Sequence, residues 1–566
     1  MAATKTAARG SPQGVPAAAA VVATTLTVLI QTLAWVALSA LLTAAVIAVS
    51  YGVDDIPMMR VFSSDEPSFV QQLQTNLLNW DLDPRGFYNY GYLYHEISYY
   101  WIRLLEHMGW LASVRFTALA MRSVSLGSYV ALLYFVYRCA LQLTEATKDI
   151  AVLAVVFAAS IPHLYYWAQM VHPDTLQTAL IVLAAAVALS VHTAPGAILA
   201  SAVAGLAFGV KYGGIFILPF CVLPYLLYLP CAPAPTGLSR AKVGRAGLVA
   251  GLGALAFVVS WLAVNPYVLS HPQQFYDILS FHFRWVGRGG GRAEPANPLL
   301  WLPILYGQFG ALGSALLGCG VLLCVRDLMS RYRAARDWRG FLAAPEVRNR
   351  LTVLLYVVAA VAYLLLIVRS REVRYTFHVL PLLVLVGFAG WASVRCGQRA
   401  RTLLVAALAV IVFARVAPVL QSTASFTEKY NHPYIKVGRF LEQRFSCDLR
   451  VAADWYSFVP SCFRNQHIVW GIDADVLKSV LPDVIVMNET TSGRWCWKAH
   501  GTLFEQRQFV KGTYDGAERV CDFLAYAFSG ASPWRVAYED DGIVVLGRAD
   551  LVSRPGLEPA QIPPAQ

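Results

Sequence analysis

The feature that most restricts what this chain can become is a set of long segments from which charge is missing. No charged residue occurs between Ser11 and Val53. A helical bilayer crossing needs roughly 20 apolar residues, and this run supplies them. It is also longer than a signal-peptide core and has no obvious cleavage site, so it is expected to be retained as a span. Similar runs recur, and spans are predicted near 22–50, 116–138, 150–167, 174–191, 196–210, 213–230, 247–266, 299–324, 351–368, 375–394 and 402–418, about eleven in all. Only 14% of the 566 residues are charged, against about 25% in soluble domains.

The formal net charge is +11. In a soluble protein that excess would point to nucleic acid, but here it falls where membrane topology requires it. With a cytoplasmic tail at 1–21 carrying Lys5 and Arg9, the loops that return to the cytoplasm are the basic ones. They hold Arg240, Lys242 and Arg245, then Arg326 to Arg350, then Arg395, Arg399 and Arg401, which fits the positive-inside rule. No nucleic-acid partner is expected. An odd number of spans puts the first loop, 51–115, and residues 419–566 on the outer, periplasmic side of the inner membrane.

Residues 419–566 read as a small water-soluble α/β domain. Strand-like runs occur at Arg450–Asp454, His467–Gly471, Asp483–Met487 and Gly542–Gly547, and helical spacing at Tyr434–Phe445 and Gly516–Phe528. Six cysteines lie in or beside spans. The other four, Cys447, Cys462, Cys496 and Cys521, all lie in this domain. An even count on an outward-facing domain predicts two disulfides, with three connectivities open.

Polarity and topology together locate the chemistry. The first outer loop carries Asp54-Asp55, Ser64-Asp65-Glu66-Pro67 and the run from Tyr88 to Glu96. Outer ends of later spans add His172-Pro173-Asp174, Lys211, Arg284, Arg288 and Arg292, then Arg369, Arg371 and Arg374. Ionisable groups at a membrane are costly and read as functional by default. Carboxylates beside cations suit transfer of a sugar from a lipid-linked phosphate. Cations hold the phosphate and the charge that develops on it, and a carboxylate takes the proton of the attacking hydroxyl. One displacement inverts the anomeric carbon. Simpler roles compete for the same residues: Asp65 can cap a helix beginning near Pro67, Glu66 can favour its first turn, Lys211 can snorkel, and the tyrosines can form an interfacial belt.

In their order along the chain these motifs resemble the polytopic GT-C glycosyltransferases, the family of dolichyl-phosphate-mannose protein mannosyltransferases and bacterial aminoarabinose (lipid A) transferases. The matching residues are Asp65-Glu66 in the first outer loop, Tyr99-Tyr100-Trp101, Gly205-Leu-Ala-Phe through Lys211 to Pro219, Arg374-Tyr375 through Leu380-Pro381, and Asp174 opening the fourth span. The resemblance covers about residues 20–420. It implies a membrane all-α fold of GT-C type with an amphipathic first outer loop, followed by the outer α/β domain. It also implies Asp65 as catalytic base with Glu66 in support, and Asp174 as a second acid. Lys211 and Arg374 are implied as contacts to the donor phosphate. Beside what the resemblance implies, the polarity of the outer face offers Arg371 to the same phosphate and Tyr92, Tyr94 and His172 to the substrate. The aminoarabinose transferases carry Lys-Pro-Pro where this chain has His95-Glu96-Ile97. Either donor binding differs, or His95 does that work.

The expected partners are a polyprenyl-phosphate-linked sugar, a lipid, glycan or protein acceptor, and membrane lipids. No cofactor is expected, although the outer-face histidines with Asp65 and Asp174 leave a divalent metal as the alternative. The competing function is a lipid or sugar transporter or flippase, for which Arg122 inside the second span is the main argument. An inactive scaffold that presents the C-terminal domain is the third.

Overall fold

A computed structural model of the chain describes residues 17–53, 56–63, 65–85, 90–110, 113–145, 147–231, 240–288, 298–335, 337–369, 372–424, 433–488, 491–492, 496–498, 507–509, 517–540 and 542–552. Seven helical segments among them are long and apolar enough to cross a membrane: Thr24–Ala48, Val114–Leu143, Tyr212–Cys231, Arg240–Ala263, Pro298–Ala334, Pro345–Leu366 and Gln398–Thr423. Asp174–Ser190, Ala194–Val210 and Leu380–Ala392 are shorter apolar helices. The remaining predicted span, 150–167, is not one helix. It is helical over Lys148–Ala159 and again over Pro162–Trp167. Pro162 has no N–H to continue the ladder and disfavours the helical region for the residue before it; Ile161 is accordingly extended, at φ −77° and ψ 113°. The chain therefore does not show eleven continuous crossings.

Close helix contacts rest on small residues. Gly320 of Trp301–Ala334 lies against Gly387 and Gly390 of Leu380–Ala392, where any Cβ would run into backbone, and small residues of this kind let membrane helices approach closely. The Trp301–Ala334 helix breaks at Gly310, whose φ is 65°. Arg415 donates to the Gln308 and Phe309 carbonyls beside that break, which satisfies polar groups that lipid cannot.

Three helices between the first and second spans, Ile56–Phe62, Glu66–Asn79 and Leu93–His107, cover one end of the bundle. The last is amphipathic: it buries Tyr94, His95, Ser98, Tyr99 and Ile102 and exposes Ile97, Tyr100, Trp101 and Leu104. Exposed aromatics on such a helix suit the membrane–water interface.

The C-terminal domain is a five-stranded sheet of β1 (Val451–Asp454), β2 (Gln466–Val469), β3 (Val484–Asn488), β6 (Trp534–Asp540) and β7 (Ile543–Arg548), in the order β2-β1-β3-β7-β6; a separate pair joins β4 (Cys496–Lys498) and β5 (Arg507–Phe509). β1 runs parallel to β2 and β3, and β7 antiparallel to β3 and β6. Four of the seven strands and the helices Pro433–Arg444 and Ala517–Ala527 fall where the sequence places them; β4, β5, β6 and the short helices Ala474–Val480 and Ala549–Val552 were not foreseen. Cys447 and Cys462 form one disulfide. Cys521 is also disulfide-bonded, and the side chain of Cys496 lies outside the described residues. Ile435 packs with Met170, Met58, Val61, Trp167 and Phe458, and Arg60 lies 4.9 Å over the Trp455 ring. The C-terminal domain thus seats on the same end of the bundle as these three helices.

Candidate active site

At that end, four residues scattered from position 65 to position 374 meet. Asp65 precedes the helix Glu66–Asn79 but makes no side-chain capping bond to it, so its carboxylate serves other partners. Tyr90 donates its hydroxyl to Asp65 Oδ2 at 2.7 Å. Arg374 Nη1 donates to the same oxygen at 3.1 Å, and His172 Nε2 lies 3.4 Å from it. Asp174 forms the second half. Lys211 Nζ is 2.5 Å from its Oδ1 and His172 Nδ1 3.1 Å from its Oδ2. The buried imidazole of His172 therefore stands between the two acids. Arg374 Nε also lies 2.5 Å from Glu372 Oε2.

Local structure explains these positions. Asp174 opens its helix after Pro173, where a carboxylate is favoured by the helix dipole. Lys211 is the extended residue that ends Ala194–Val210. Arg374 lies in the 3-10 turn Val373–Thr376 just before the next apolar helix. Gly91 lets the Tyr90 loop close on this end, because a Cβ there would strike the Gly209 carbonyl. The Lys211 ammonium consequently sits 5.3 Å over the Tyr90 ring, and also 5.9 Å over that of Tyr375.

Burial alone would raise the pKa of Asp65. The His172 hydrogen bond, the charges of Arg374 and His172 and the Tyr90 hydroxyl outweigh it, and hold the carboxyl far below the usual range. Asp65 remains partly open, with 28% of its side chain exposed, while Lys211 keeps 17% and Arg374 20%. Beside them the Nε2 of His378 is buried without a hydrogen-bond partner among the described residues, near enough to Lys211 and Asp174 to respond to their charges.

The remaining expected residues lie elsewhere. Glu66, expected in a supporting catalytic role, is fully buried and faces away from this cluster. Arg122 Nε and Nη2 grip its two oxygens at 2.5 and 2.8 Å, and the Val171 amide donates to it at 3.0 Å. Arg122 also donates to the Val49 and Tyr51 carbonyls. The pair ties the first span, the outer loop and the segment before His172 together, which accounts for an arginine inside the second span. Tyr92 and Tyr94 are core residues rather than walls of the cluster: their hydroxyls reach Asn76 in one case, Met121 and Ser125 in the other. His95 stacks on Tyr92 at 5.0 Å and packs beside Phe69; burial pushes its pKa down to about 3. Arg371 lies outside the described residues.

The sequence reading missed Tyr90 and Glu372. Gly91 was the only local signal for Tyr90. Glu372 was visible in the run Arg371-Glu372-Val373-Arg374, since ionisable groups at a membrane pair with one another. Among the described residues, no three His, Cys, Asp or Glu side chains are arranged to hold a metal ion.

No protein-family model matches the sequence, and comparison with curated proteins finds no match. Solved structures do match. ArnT from Cupriavidus metallidurans bound to undecaprenyl phosphate aligns with a TM-score of 0.50 at 13% identity, over 93% of this chain and 98% of its own. The apo form of ArnT gives the same score and identity over 92% and 99%. AglB, an archaeal oligosaccharyltransferase from Archaeoglobus fulgidus solved with an inhibitory peptide and a dolichol-phosphate, gives 0.48 at 11% identity over 89% and 79%. On the two ArnT alignments, the protein shares the fold of ArnT. The ArnT alignments extend that fold over nearly the whole of both chains.

Proposed function

We propose that the protein is an inverting glycosyltransferase that moves a hexosyl or pentosyl group from a polyprenyl-phosphate donor to a hydroxyl acceptor at the outer face of the cytoplasmic membrane. The observation that carries this reading is the meeting of Asp65, Asp174, Lys211 and Arg374 in one hydrogen-bonded cluster, bridged by His172. Asp65 is the general base. Lys211 and Arg374 hold the donor phosphate and the charge that grows on it as the sugar leaves. Asp174 orients Lys211, and His172 orients both acids. The His378 Nε2, without a hydrogen-bond partner among the described residues, is available to a sugar hydroxyl. No cofactor is assigned, because two fixed cations already stand where the phosphate charge would develop. The full-length resemblance in fold to ArnT supports a lipid-phosphate donor, as does a cluster that opens at the end of an apolar bundle. The acceptor is a lipid, a glycan or a protein.

The test is transfer by the detergent-purified protein from synthetic polyprenyl-phosphate pentoses and hexoses, with Asp65→Asn alongside. Asp65→Asn should stay folded and lose transfer. A folded Asp65→Asn that transfers as well as the natural protein removes Asp65 from the chemistry.

A further inference from the structure

Under the proposed function Asp65 has to take a proton and Arg374 has to hold a phosphate, yet the two side chains are bonded to each other. We infer that the Asp65 carboxylate and the lipid phosphate exchange the Arg374 guanidinium, so that arrival of the phosphate is what frees the base. This rests on the proposed function and deepens it.

The geometry is that of a cation whose hydrogen-bond and ion-pair partners among the described residues are groups an incoming anion can replace, with the Tyr375 ring 5.9 Å from its guanidinium. Arg374 donates to Asp65 and lies within reach of the Tyr90 hydroxyl and of Glu372. Lys211 repeats the pattern on Asp174. Three carboxylates, Asp65, Asp174 and Glu372, thus share two cations. Arg122, by contrast, is anchored on the Val49 and Tyr51 carbonyls as well as on Glu66, and a phosphate has no means of drawing it away. The charged and titratable groups acting on Asp65 include Tyr90 before Leu93–His107, His172 before Asp174–Ser190 and Arg374, with Lys211 felt through its charge. Arg374 is the cation hydrogen-bonded to it.

Charge balance through the reaction gives the exchange a purpose. The acceptor oxygen bonds to the anomeric carbon, and the bond from that carbon to the phosphate oxygen breaks with its electron pair left on the phosphate. The acceptor proton moves to Asp65 Oδ2. A phosphodiester becomes a monoester with one further negative charge, while Asp65 loses its own. The negative charge in the site is unchanged in total but has moved from carboxylate to phosphate. One guanidinium between them follows that movement, so proton removal and leaving-group stabilisation proceed together. While Arg374 stays on Asp65, the carboxylate is too weak a base to compete for a hydroxyl proton.

The test is binding of a short-chain polyprenyl phosphate to the full-length protein at neutral pH, with the matching polyprenol as the control for the tail. If the phosphate competes with Asp65, Asp65→Asn tightens binding, by about fivefold or more. Glu372→Gln removes the other anion on Arg374 and shifts binding in the same direction; it also serves as the independent probe if Asp65→Asn fails to fold by thermal unfolding. Arg374→Gln weakens binding, and in the double variant Asp65→Asn/Arg374→Gln the gain from Asp65→Asn disappears, as a coupled pair requires. Binding that is unchanged or weaker in both Asp65→Asn and Glu372→Gln overturns the exchange and leaves the carboxylates as props for Arg374. If the natural protein binds the phosphate no better than the polyprenol, the proposed function itself fails.

Discussion

The bundle carries ion pairs at both ends, and the two sets differ in what else their cations bond to. At the end away from the cluster, Arg350 is only 1% exposed and bridges Asp327 at 2.7 Å and Glu145 at 3.1 Å. It also donates to the Leu143 carbonyl, and Arg331 reinforces the same two acids. Glu145 sits just past the end of Val114–Leu143 in the left-handed region, at φ 54°, so this network fastens a turn to two neighbouring helices. At the end with Asp65, Lys211 and Arg374 pair with carboxylates and face tyrosine rings, and their side chains are partly open. Burial of charge does not mark a site by itself. Arg350 and Arg122 are tied to backbone carbonyls as well as to acids and belong to the frame, whereas Lys211 and Arg374 rest on carboxylates beside tyrosine rings and can be given to a ligand.

The sharpest way to break that distinction is to neutralise one acid at each end. Asp65→Asn should lower transfer by up to about 10⁴-fold with little change in unfolding temperature. Asp327→Asn should lower the unfolding temperature and leave transfer per folded molecule intact. Loss of transfer in a fully folded Asp327→Asn protein would make the far end functional too. Next in size is the frame pair beside the cluster. Arg122→Met strands Glu66 in a dry interior, which costs about 3–5 kcal/mol. Chemical denaturation should register that loss, and Glu66→Met/Arg122→Met should recover much of it, because a buried pair and an apolar pair are often of similar stability.

Lys211→Met is the third test. Removing one charge-stabilising donor typically lowers turnover by about 10²–10³-fold, and Asp174, being close to His172 as well, is not left wholly unpaired. The expected outcome is a large fall in single-turnover rate with an unfolding temperature near that of the natural protein. If stability falls as far as it does for Arg122→Met, Lys211 belongs to the frame and the contrast between the two kinds of cation is wrong.

The contrast also shows which parts of the molecule were legible in the sequence. Apolar runs are local, so ten of the predicted spans coincide with apolar helices. The interruption at Ser160-Ile161 was legible too, since Pro162 causes it, but hydropathy averaged over the segment hid it. Asp65, Asp174, Lys211 and Arg374 were reached through the ordered resemblance to a family. What the sequence could not supply was the direction of side chains in aperiodic segments. Asp65 and Glu66 are adjacent, and only Arg122, 56 residues away from Glu66, decides that one serves the frame and the other the cluster. Tyr90, Tyr92 and Tyr94 alternate in one run, yet the run enters a helix at Leu93, which carries Tyr92 and Tyr94 inward and leaves Tyr90 at the opening. β6 was missed because it is an edge strand with mostly part-exposed residues and charged ones at Arg535, Glu539 and Asp540, the composition that protects edges and blurs alternation.

A carboxyl buried with no cation paired to it among the described residues tests the same rule from the other side. Asp454 ends β1 fully buried, and its partners are neutral: the Asn488 and Ser492 amides at 2.8 and 3.1 Å and the Ser492 hydroxyl at 2.7 Å. Burial outweighs those hydrogen bonds and pushes its pKa up to about 7. A carboxyl raised in the folded state holds its proton more tightly there than in the unfolded chain. Its contribution to stability is therefore complete below about pH 4, the ordinary aspartate value, and is lost as pH rises through 7, the opposite of what a cation-paired carboxylate such as Asp65 gives. The β1 and β3 amides of the intact protein should exchange hydrogen more readily at pH 8 than at pH 5 after correction for intrinsic rates, by an amount equivalent to about 2 kcal/mol. Asp454→Asn should flatten that dependence. Protection that instead grows with pH in the natural protein would mean that Asp454 is ionised in the fold, and that neutral donors alone can do for a buried carboxylate what Arg374 does for Asp65.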